Sequence, residues 1–168
     1  MGDCAEGVGG AGGGGGKLHT MPLDQSFMGR VYPPTAPYEV GREKIREFAD
    51  AVSASDPVHR DLAEARAKGY KDVIAPPTFA IILSQNAGQQ LVEDQSFGLD
   101  YSRVVHGGQT FRYERPIVAG DHLVTVMAVE EISSRAGHAF LTTRHEVSTV
   151  EGELVVTIWT RLVVRGEG

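Results

Sequence analysis

The apolar residues in the first half of the chain recur at helical spacing. One set follows Gly41 and consists of Ile45, Phe48, Ala49 and Val52. This spacing predicts a helix over about 42–53, which the Ser55-Asp56-Pro57 segment ends. Prolines within residues 27–40 restrict the backbone before this helix, so we predict an extended lead-in with a short strand around Tyr38–Val40.

Two further helices are predicted before the pattern changes. A short one fits 62–68, because Asp61 can cap its start and Gly69 can adopt the left-handed conformation after its end. A longer one fits 77–92, where a proline in the first turn is followed by Phe79–Leu83, which is apolar on nearly all sides. A helix of that kind is expected in the interior of the protein.

From Val104 onward the apolar residues recur with a period of two, which is typical of half-buried strands. The alternating residues are Phe111 and Tyr113, then Leu123, Thr125, Met127 and Val129, then those within Phe140–Val147, and finally Leu154, Val156, Ile158, Thr160 and Leu162. Turns are predicted at Gly120-Asp121, Ala136-Gly137 and Glu151-Gly152. We therefore predict a meander of four long antiparallel strands.

This order of elements is that of the α+β hot-dog fold, in which an antiparallel sheet wraps a long central helix. An apolar helix needs a surface that covers it, and four long twisted strands can curl around it. Such a sheet leaves an edge strand unpaired, and pairing with the edge of a second hot dog would satisfy that strand. We therefore expect a dimer.

The composition places this fold in a single domain, since 168 residues suit one core. Nine of the 21 glycines lie in residues 1–16, so we expect a disordered tail over 1–20 and the domain over 21–168. The single cysteine, Cys4, excludes an intrachain disulfide and fits a cytoplasmic protein.

The charge and hydropathy exclude two classes of partner. Lys and Arg number 16 against 22 Asp and Glu, and this net acidity argues against a nucleic-acid partner. No apolar run reaches the ~18–20 residues of a membrane-spanning helix, so we expect no membrane partner.

The first candidate site is the segment Ser53–His59. Asp56 and His59 lie in a predicted loop, and a carboxylate and an imidazole that face one cleft can position water and move a proton on an acyl substrate. The same residues also fit a simpler arrangement, in which Asp56-Pro57 stops a helix and His59 is a surface imidazole. The spacing alone leaves both interpretations open.

The segment resembles the motif D-x-N-P-I/V-H of the MaoC-like (R)-specific enoyl hydratases and 3-hydroxyacyl dehydratases, which have the hot-dog fold. Pro57 and His59 match this motif, whereas the catalytic aspartate of the family falls on Ala54 and its asparagine falls on Asp56. The resemblance implies that the histidine is retained and the usual carboxylate is missing. Asp56 and His59 are therefore the candidate catalytic residues.

The second candidate site is the start of the predicted long helix. In catalytic members of the family this place resembles I-x-H-G-M, where a backbone N–H polarises the thioester carbonyl. Pro77 falls on that glycine and has no N–H, so the resemblance implies that this donor is missing, although two prolines also fit simple helix initiation. The resemblance implies that this segment binds substrate through Ala75, Pro76, Pro77, Thr78, Phe79 and Ile82.

The third candidate site is His106-Gly107, within Val104–Phe111. This stretch resembles V-x-H-G-x-Q in the non-catalytic half of hydratases that contain two hot dogs, and residues 115–121 resemble the family's P-x-x-x-G-D turn. The resemblance implies that His106 and Gly107 lie near the acyl or pantetheine path of the substrate. The residues alone favour an ordinary packed histidine without such a role.

Residues 27–165 as a whole most resemble the HadA-type subunit of (3R)-hydroxyacyl-ACP dehydratase, and the closest matches are Gly41–Phe48, Ala75–Phe79 and Glu114–Asp121. In that family this subunit shapes the acyl channel, while a HadB-type partner carries the catalytic Asp and His. The resemblance implies an acyl-ACP or acyl-CoA thioester as substrate, a HadB-type subunit or a second copy as partner, and neither cofactor nor metal. Two alternatives stay open, a homodimeric hydratase that uses Asp56 and His59 and a non-enzymatic acyl-binding hot dog.

Overall fold

A five-stranded antiparallel sheet curls around one long helix in the computed structural model, which describes residues 23–166. The helices are α1 (Arg42–Ala51), α2 (Leu62–Ala67) and α3 (Ile81–Glu93), and the strands are β1 (Tyr38–Glu39), β2 (Val104–Tyr113), β3 (His122–Arg135), β4 (His138–Thr149) and β5 (Leu154–Val164). Single 3₁₀ turns lie at Gln25–Phe27, Pro57–His59 and Tyr101–Arg103. The tail predicted over 1–20 lies outside the described residues.

The strand order is β1-β3-β4-β5-β2, so the predicted meander of four strands is wrong in one connection. Strands β3, β4 and β5 form a meander, but β2 pairs with β5 and not with β3. The chain after β2 pairs elsewhere, because Ala75 donates its N–H to the Ile117 carbonyl at 2.8 Å and Ala119 donates to the Val73 carbonyl at 3.0 Å. These bonds lead the chain away from β2 and prevent a hairpin into β3.

The helices follow the predicted pattern, with one shift at the start of α3. Asp61 caps α2 as predicted, by accepting the N–H groups of Ala63 and Glu64 at 2.7 and 3.3 Å. Helix α3 begins at Ile81 and not at residue 77. Residues 76–80 form tight turns with bonds between residues three apart, such as the 2.9 Å bond from the Phe79 N–H to the Pro76 carbonyl.

The interior is built where α3 and its entry turn meet the concave face of the sheet. Alternate residues of β3, β4 and β5 point to this face, as the period of two predicts. The completely buried ones include Leu123, Met127, Leu141, Val147, Val156 and Ile158. They pack in two clusters, one around Phe79 and Leu83 and the other around Ala87 and Leu91. The arrangement is the predicted sheet-wrapped central helix.

The sheet has one short and one long edge. Strand β1 has two residues, whereas β2 has ten and pairs only with β5 among the described strands. Every second pair of backbone groups on β2 therefore faces away from the sheet. Within residues 23–166, no helix has the length and apolar character needed to cross a membrane.

Candidate active site

The predicted catalytic loop borders an open depression of about 500 Å³. Its walls come from residues 56–59, 74–77 and 113–117. Backbone hydrogen bonds join these segments, since Ile74 donates to the Val58 carbonyl at 3.3 Å and Ala75 to the Ile117 carbonyl at 2.8 Å. The lining side chains are Val58, Ile74, Ala75, Pro77, Pro116 and Ile117, together with the polar Asp56, His59, Tyr113, Glu114 and Arg115.

His59 is held in one tautomer. It ends the 3₁₀ turn after Asp56, is 7% exposed, and places its Nδ1 2.8 Å from the Ile74 carbonyl oxygen. Because a carbonyl oxygen only accepts, Nδ1 carries the hydrogen and Nε2 keeps a free lone pair. The fold thus makes Nε2 the proton-accepting atom of a side chain that lines the depression.

The Asp56 carboxylate is hydrogen-bonded to Val58 and Lys68. It accepts the Val58 N–H at 3.0 Å, which caps the 3₁₀ turn, and the Lys68 ammonium at 2.8 and 2.9 Å. The hydrogen bonds from Lys68, and next the one from Val58, lower the pKa of Asp56 below its usual value. A carboxylate stabilised as an anion in this way is a weak proton acceptor.

Ala54, where the motif resemblance places an aspartate, presents only a methyl group. Its N–H donates to the Ala49 carbonyl at 2.8 Å, and its carbonyl accepts from Arg60 Nη1 at 2.6 Å. Arg60 also donates from Nη2 to Asp50 at 2.6 Å. These contacts hold the loop in place, and they do so without a carboxylate at this position.

Tyr113 connects the depression to the start of α3. Its hydroxyl donates to the Pro77 carbonyl at 2.7 Å. Burial raises the pKa of Tyr113 to about 12, while a hydrogen bond with the Ala80 backbone acts in the opposite direction. The phenol therefore stays neutral near pH 7 and anchors the turn at Pro77.

Tyr113→Phe is expected to lower the free energy of unfolding by about 1 kcal/mol, because the Pro77 carbonyl loses its donor. Urea denaturation would measure the change. Tyr101→Phe is the matched control, since Tyr101 is 62% exposed. Equal stability of the two variants would contradict the anchoring role of the Tyr113 hydroxyl.

Arg115 forms one wall of the depression within an ion-pair network. Its Nη1 lies 2.8 Å from Asp121 Oδ2, and its Nε lies 2.9 Å from Glu153 Oε1. The Asp121 side chain is 3% exposed and also accepts the Val118 N–H at 2.9 Å. The hydrogen bond from Arg115 is the main cause that lowers the pKa of Glu153. Both carboxylates neutralise the guanidinium, so Arg115 acts here as a structural element.

The residues predicted to bind substrate at the start of α3 lie in different environments. Ala75 and Pro77 line the depression. Phe79 has no exposed surface and packs against Phe48, with 5.4 Å between the ring centroids. Phe79 therefore belongs to the hydrophobic core and does not line the depression. Three more residues lie outside its lining: Pro76, Thr78 and Ile82.

His106 and Gly107 lie near the start of β2, whereas Tyr113 at its end lines the depression. At the ~3.3 Å rise per residue of a strand, about 20 Å separate His106 from Tyr113. The structure therefore does not bring His106 to the depression of its own chain.

The sequence reasoning missed Tyr113, Glu114 and Ile117 as lining residues. The sequence did contain an indication of a role for Tyr113, because a tyrosine on the inward face of a strand needs a hydrogen-bond partner for its hydroxyl. It contained none for Ile117, since that residue reaches the depression only through the pairing of 117–119 with 73–75. It contained none for Glu114 either, since the place of Glu114 is fixed by the bond from its N–H to the distant Val155 carbonyl at 2.9 Å.

Comparison with known sequences identifies the family. The model of the FAS1-like dehydratase domain region matches residues 26–158. A UPF0336 protein of Saccharopolyspora erythraea is 62% identical over 146 residues, which cover 87% of this chain and 94% of that protein. A UPF0336 protein of Streptomyces coelicolor is 57% identical over 86% of this chain and 97% of that protein.

Solved structures agree with the architecture. A MaoC-like dehydratase superposes with a TM-score of 0.78 at 33% identity, over 84% of this chain and only 43% of that longer chain. The C-terminally truncated HadBC (3R-hydroxyacyl-ACP dehydratase) complex from Mycobacterium tuberculosis superposes with a TM-score of 0.71 at 32% identity, over 82% of this chain and 96% of that chain. These matches confirm the predicted hot-dog fold. The chain thus belongs to the family of FAS1-like dehydratase domains, within the MaoC-like hot-dog hydratases and dehydratases.

Proposed function

We propose that this chain is the substrate-binding subunit of a (3R)-hydroxyacyl-thioester dehydratase, which acts as an (R)-specific enoyl hydratase in the reverse direction, on fatty-acyl chains. One observation carries the proposal. The depression holds His59 on a largely apolar wall, yet Ala54 stands where the family has its aspartate, and Asp56 is bound by Lys68. The site suits binding better than catalysis.

The reaction needs two groups that exchange protons with the substrate. In dehydration a base removes a proton from the α-carbon, the C–O bond at the β-carbon breaks, and the hydroxyl leaves as water after an acid protonates it. The new α,β double bond takes up the electron pair, so no redox cofactor is needed. We assign the catalytic carboxylate and imidazole to a HadB-type partner, and to this chain the apolar surface for the acyl group.

A partner subunit is consistent with the open edge at β2, which offers ten residues for pairing with a second sheet. The HadBC complex is a dehydratase with two kinds of subunit, and its fold and sequence are similar to those of this chain. We propose a partner that retains the D-x-N-P-I/V-H motif intact. The substrate is then an acyl-ACP or acyl-CoA thioester bound between the two subunits.

A second candidate function is a homodimeric hydratase that needs no other subunit. His59 Nε2 is free to accept a proton, and two carboxylates, Asp56 and Glu114, line the same depression. Glu114 lies 3.7 Å from Arg112, a looser contact than the Asp56–Lys68 pair at 2.8 Å. Variants of both carboxylates therefore belong in the test.

The test is to co-express the chain with a hot-dog protein of the same genome that keeps the motif, and to follow the hydration of crotonyl-CoA by its enoyl-thioester absorbance. The complex is expected to be active and the isolated chain to stay at background. In the complex, Asp56→Ala, His59→Ala and Glu114→Gln are expected to leave kcat within about threefold, because the catalytic groups belong to the partner. Glu64→Gln, on the exposed side of α2, is the control.

Two results would overturn the proposal. Full activity of the isolated chain, lost in His59→Ala, would establish the self-sufficient hydratase. Tight binding of acyl thioesters without turnover, alone and in every complex, would establish a non-enzymatic acyl-binding protein.

A further inference from the structure

A β-bulge turns His106 and Gln109 toward the same side of the sheet. His106 is opposite Leu162 of β5 and Gln109 is opposite Thr160, and the register shifts between His106 and Gly108. In a regular strand, residues three apart point to opposite faces. The extra residue, Gly107, reverses this alternation and brings both side chains to the face that α3 covers.

Gly107 is adapted to this position by its lack of a side chain. A Cβ atom there would lie 3.2 Å from Val163 Cγ2 and 3.3 Å from the Arg161 carbonyl oxygen. Both distances are tighter than ordinary contacts, and one involves backbone that cannot move aside easily. The bulge therefore favours glycine at position 107, because a side chain there would collide with β5.

A directional chain of hydrogen bonds fixes the ring of His106. The Ser84 hydroxyl of α3 donates to the Ile81 carbonyl at 3.0 Å, so it accepts from Gln109 Nε2 at 3.3 Å. Gln109 Nε2 also donates to Thr160 Oγ1 at 3.0 Å. Its Oε1 is thus the acceptor for His106 Nε2 at 2.9 Å. Nε2 carries the hydrogen, and Nδ1 is left as an open acceptor on an exposed side chain.

The position of this acceptor on β2 determines which site it can reach. His106 lies about 20 Å from Tyr113 along the same strand, too far to serve its own depression. Two β2 strands that pair antiparallel about a two-fold or pseudo-two-fold axis place the start of one beside the end of the other. A pairing centred between Gln109 and Thr110 would bring His106 next to Tyr113 and the depression of the partner subunit.

We propose that His106 is a substrate-positioning residue for the site of the subunit joined along β2, where its Nδ1 accepts a hydrogen bond from an amide N–H of the pantetheine arm. The inference rests on the proposed function and gives this chain a defined part in the partner's reaction. Gln109 is also a positioning residue, and it acts on the substrate only indirectly, because it sets the tautomer of His106. CoA and ACP substrates share this arm, so both meet the same acceptor.

The test uses the active complex and two substrates, crotonyl-CoA and crotonyl ethyl thioester, which lacks the amides of the arm. His106→Ala is expected to raise KM for crotonyl-CoA about tenfold, with kcat within twofold, and to leave KM for the ethyl thioester unchanged. His106→Asn keeps an acceptor and is expected to recover most of the loss. His122→Ala, at an exposed histidine on β3, is the control.

Gln109→Leu tests the same role through KM and through an NMR signal that does not depend on turnover. It is expected to raise KM for crotonyl-CoA by a similar factor and to shift the nitrogen-15 NMR signals of His106 from a single Nε2–H tautomer toward a mixture. Unchanged KM in His106→Ala, or an equal rise with both substrates, would overturn the positioning role while the proposed function stands. A wild-type complex that turns over neither substrate would overturn the proposed function and this inference together.

Discussion

Phe79→Ala is expected to lower the free energy of unfolding by about 3–5 kcal/mol, because the substitution leaves a cavity where a completely buried ring stood. The ring contacts Phe48 of α1 edge-on, at 5.4 Å between centroids and 75° between planes. An aromatic pair of this geometry adds about 0.5–1.5 kcal/mol to the effect of burial. Phe79 shares a core cluster with Ile117, so the loss also reaches the wall of the depression.

Guanidinium denaturation with an unchanged m-value would measure this loss. Phe140→Ala is the matched control, since Phe140 is 36% exposed on β4 and its truncation is expected to change stability by less than about 1 kcal/mol. Phe79→Leu leaves a smaller void, with an expected loss of about 1–2 kcal/mol, and keeps the test open if the alanine variant does not fold. A Phe79→Ala midpoint equal to that of Phe140→Ala would contradict the structural role of the ring.

Acidification from about pH 7 to about pH 4 is expected to remove about 3 kcal/mol of stability through His145 alone. His145 is 1% exposed on the concave face of β4, and its Nε2 lies 2.9 Å from Thr143 Oγ1. Its Nδ1 has no hydrogen-bond partner among the described residues. Burial lowers the pKa of His145 from 6.5 to about 4, because the charged ring would be cut off from water.

The direction of this pH dependence follows from the pKa of His145 in the unfolded and in the folded state. The unfolded chain protonates His145 near pH 6.5 and the folded chain near pH 4, so the unfolded state binds more protons between these values. The stabilisation is complete above pH 6.5 and falls as the pH decreases toward 4. Unfolding free energies measured by urea titration across this range would show the slope.

His145→Leu is the control for this slope, since leucine does not titrate and fits a similar volume. The variant is expected to lose less stability between pH 6.5 and pH 4 than the wild type. Carboxylates with lowered pKa values, such as Asp56, Asp72 and Glu153, add an acid dependence that both proteins share. Parallel pH curves for the two proteins would show that His145 is not the group responsible.

The helices and strands were accessible to sequence reasoning because local spacing encodes them. The set that begins at Ile45 placed α1, the cap at Asp61 placed α2, and the period of two placed β2 to β5. The start of α3 was predicted four residues early, since a proline at position 77 fits a first helical turn as well as the tight turns that the structure forms there. Local rules do not separate these two conformations.

The candidate site was predicted only in part. Asp56, His59, Ala75 and Pro77 lie on one depression, and the motif comparison had brought these positions to attention. The contact between Asp56 and Lys68, which removes the carboxylate from an easy catalytic role, joins residues twelve apart through a loop and α2. No periodicity or motif in the sequence indicates that contact.

The sequence by itself determined the order of the elements and the buried helix, and its resemblance to the family motifs implied that Ala54 stands at the place of an aspartate and Pro77 at the place of an N–H donor. These properties depend on residue type and on neighbours within a few positions. Only the tertiary structure decided that β2 pairs with β5, that Ile74 and Gln109 fix the tautomers of His59 and His106, and that Tyr113 anchors Pro77. Each of these joins residues through packing and backbone pairing of the whole sheet, which strand periodicity does not specify.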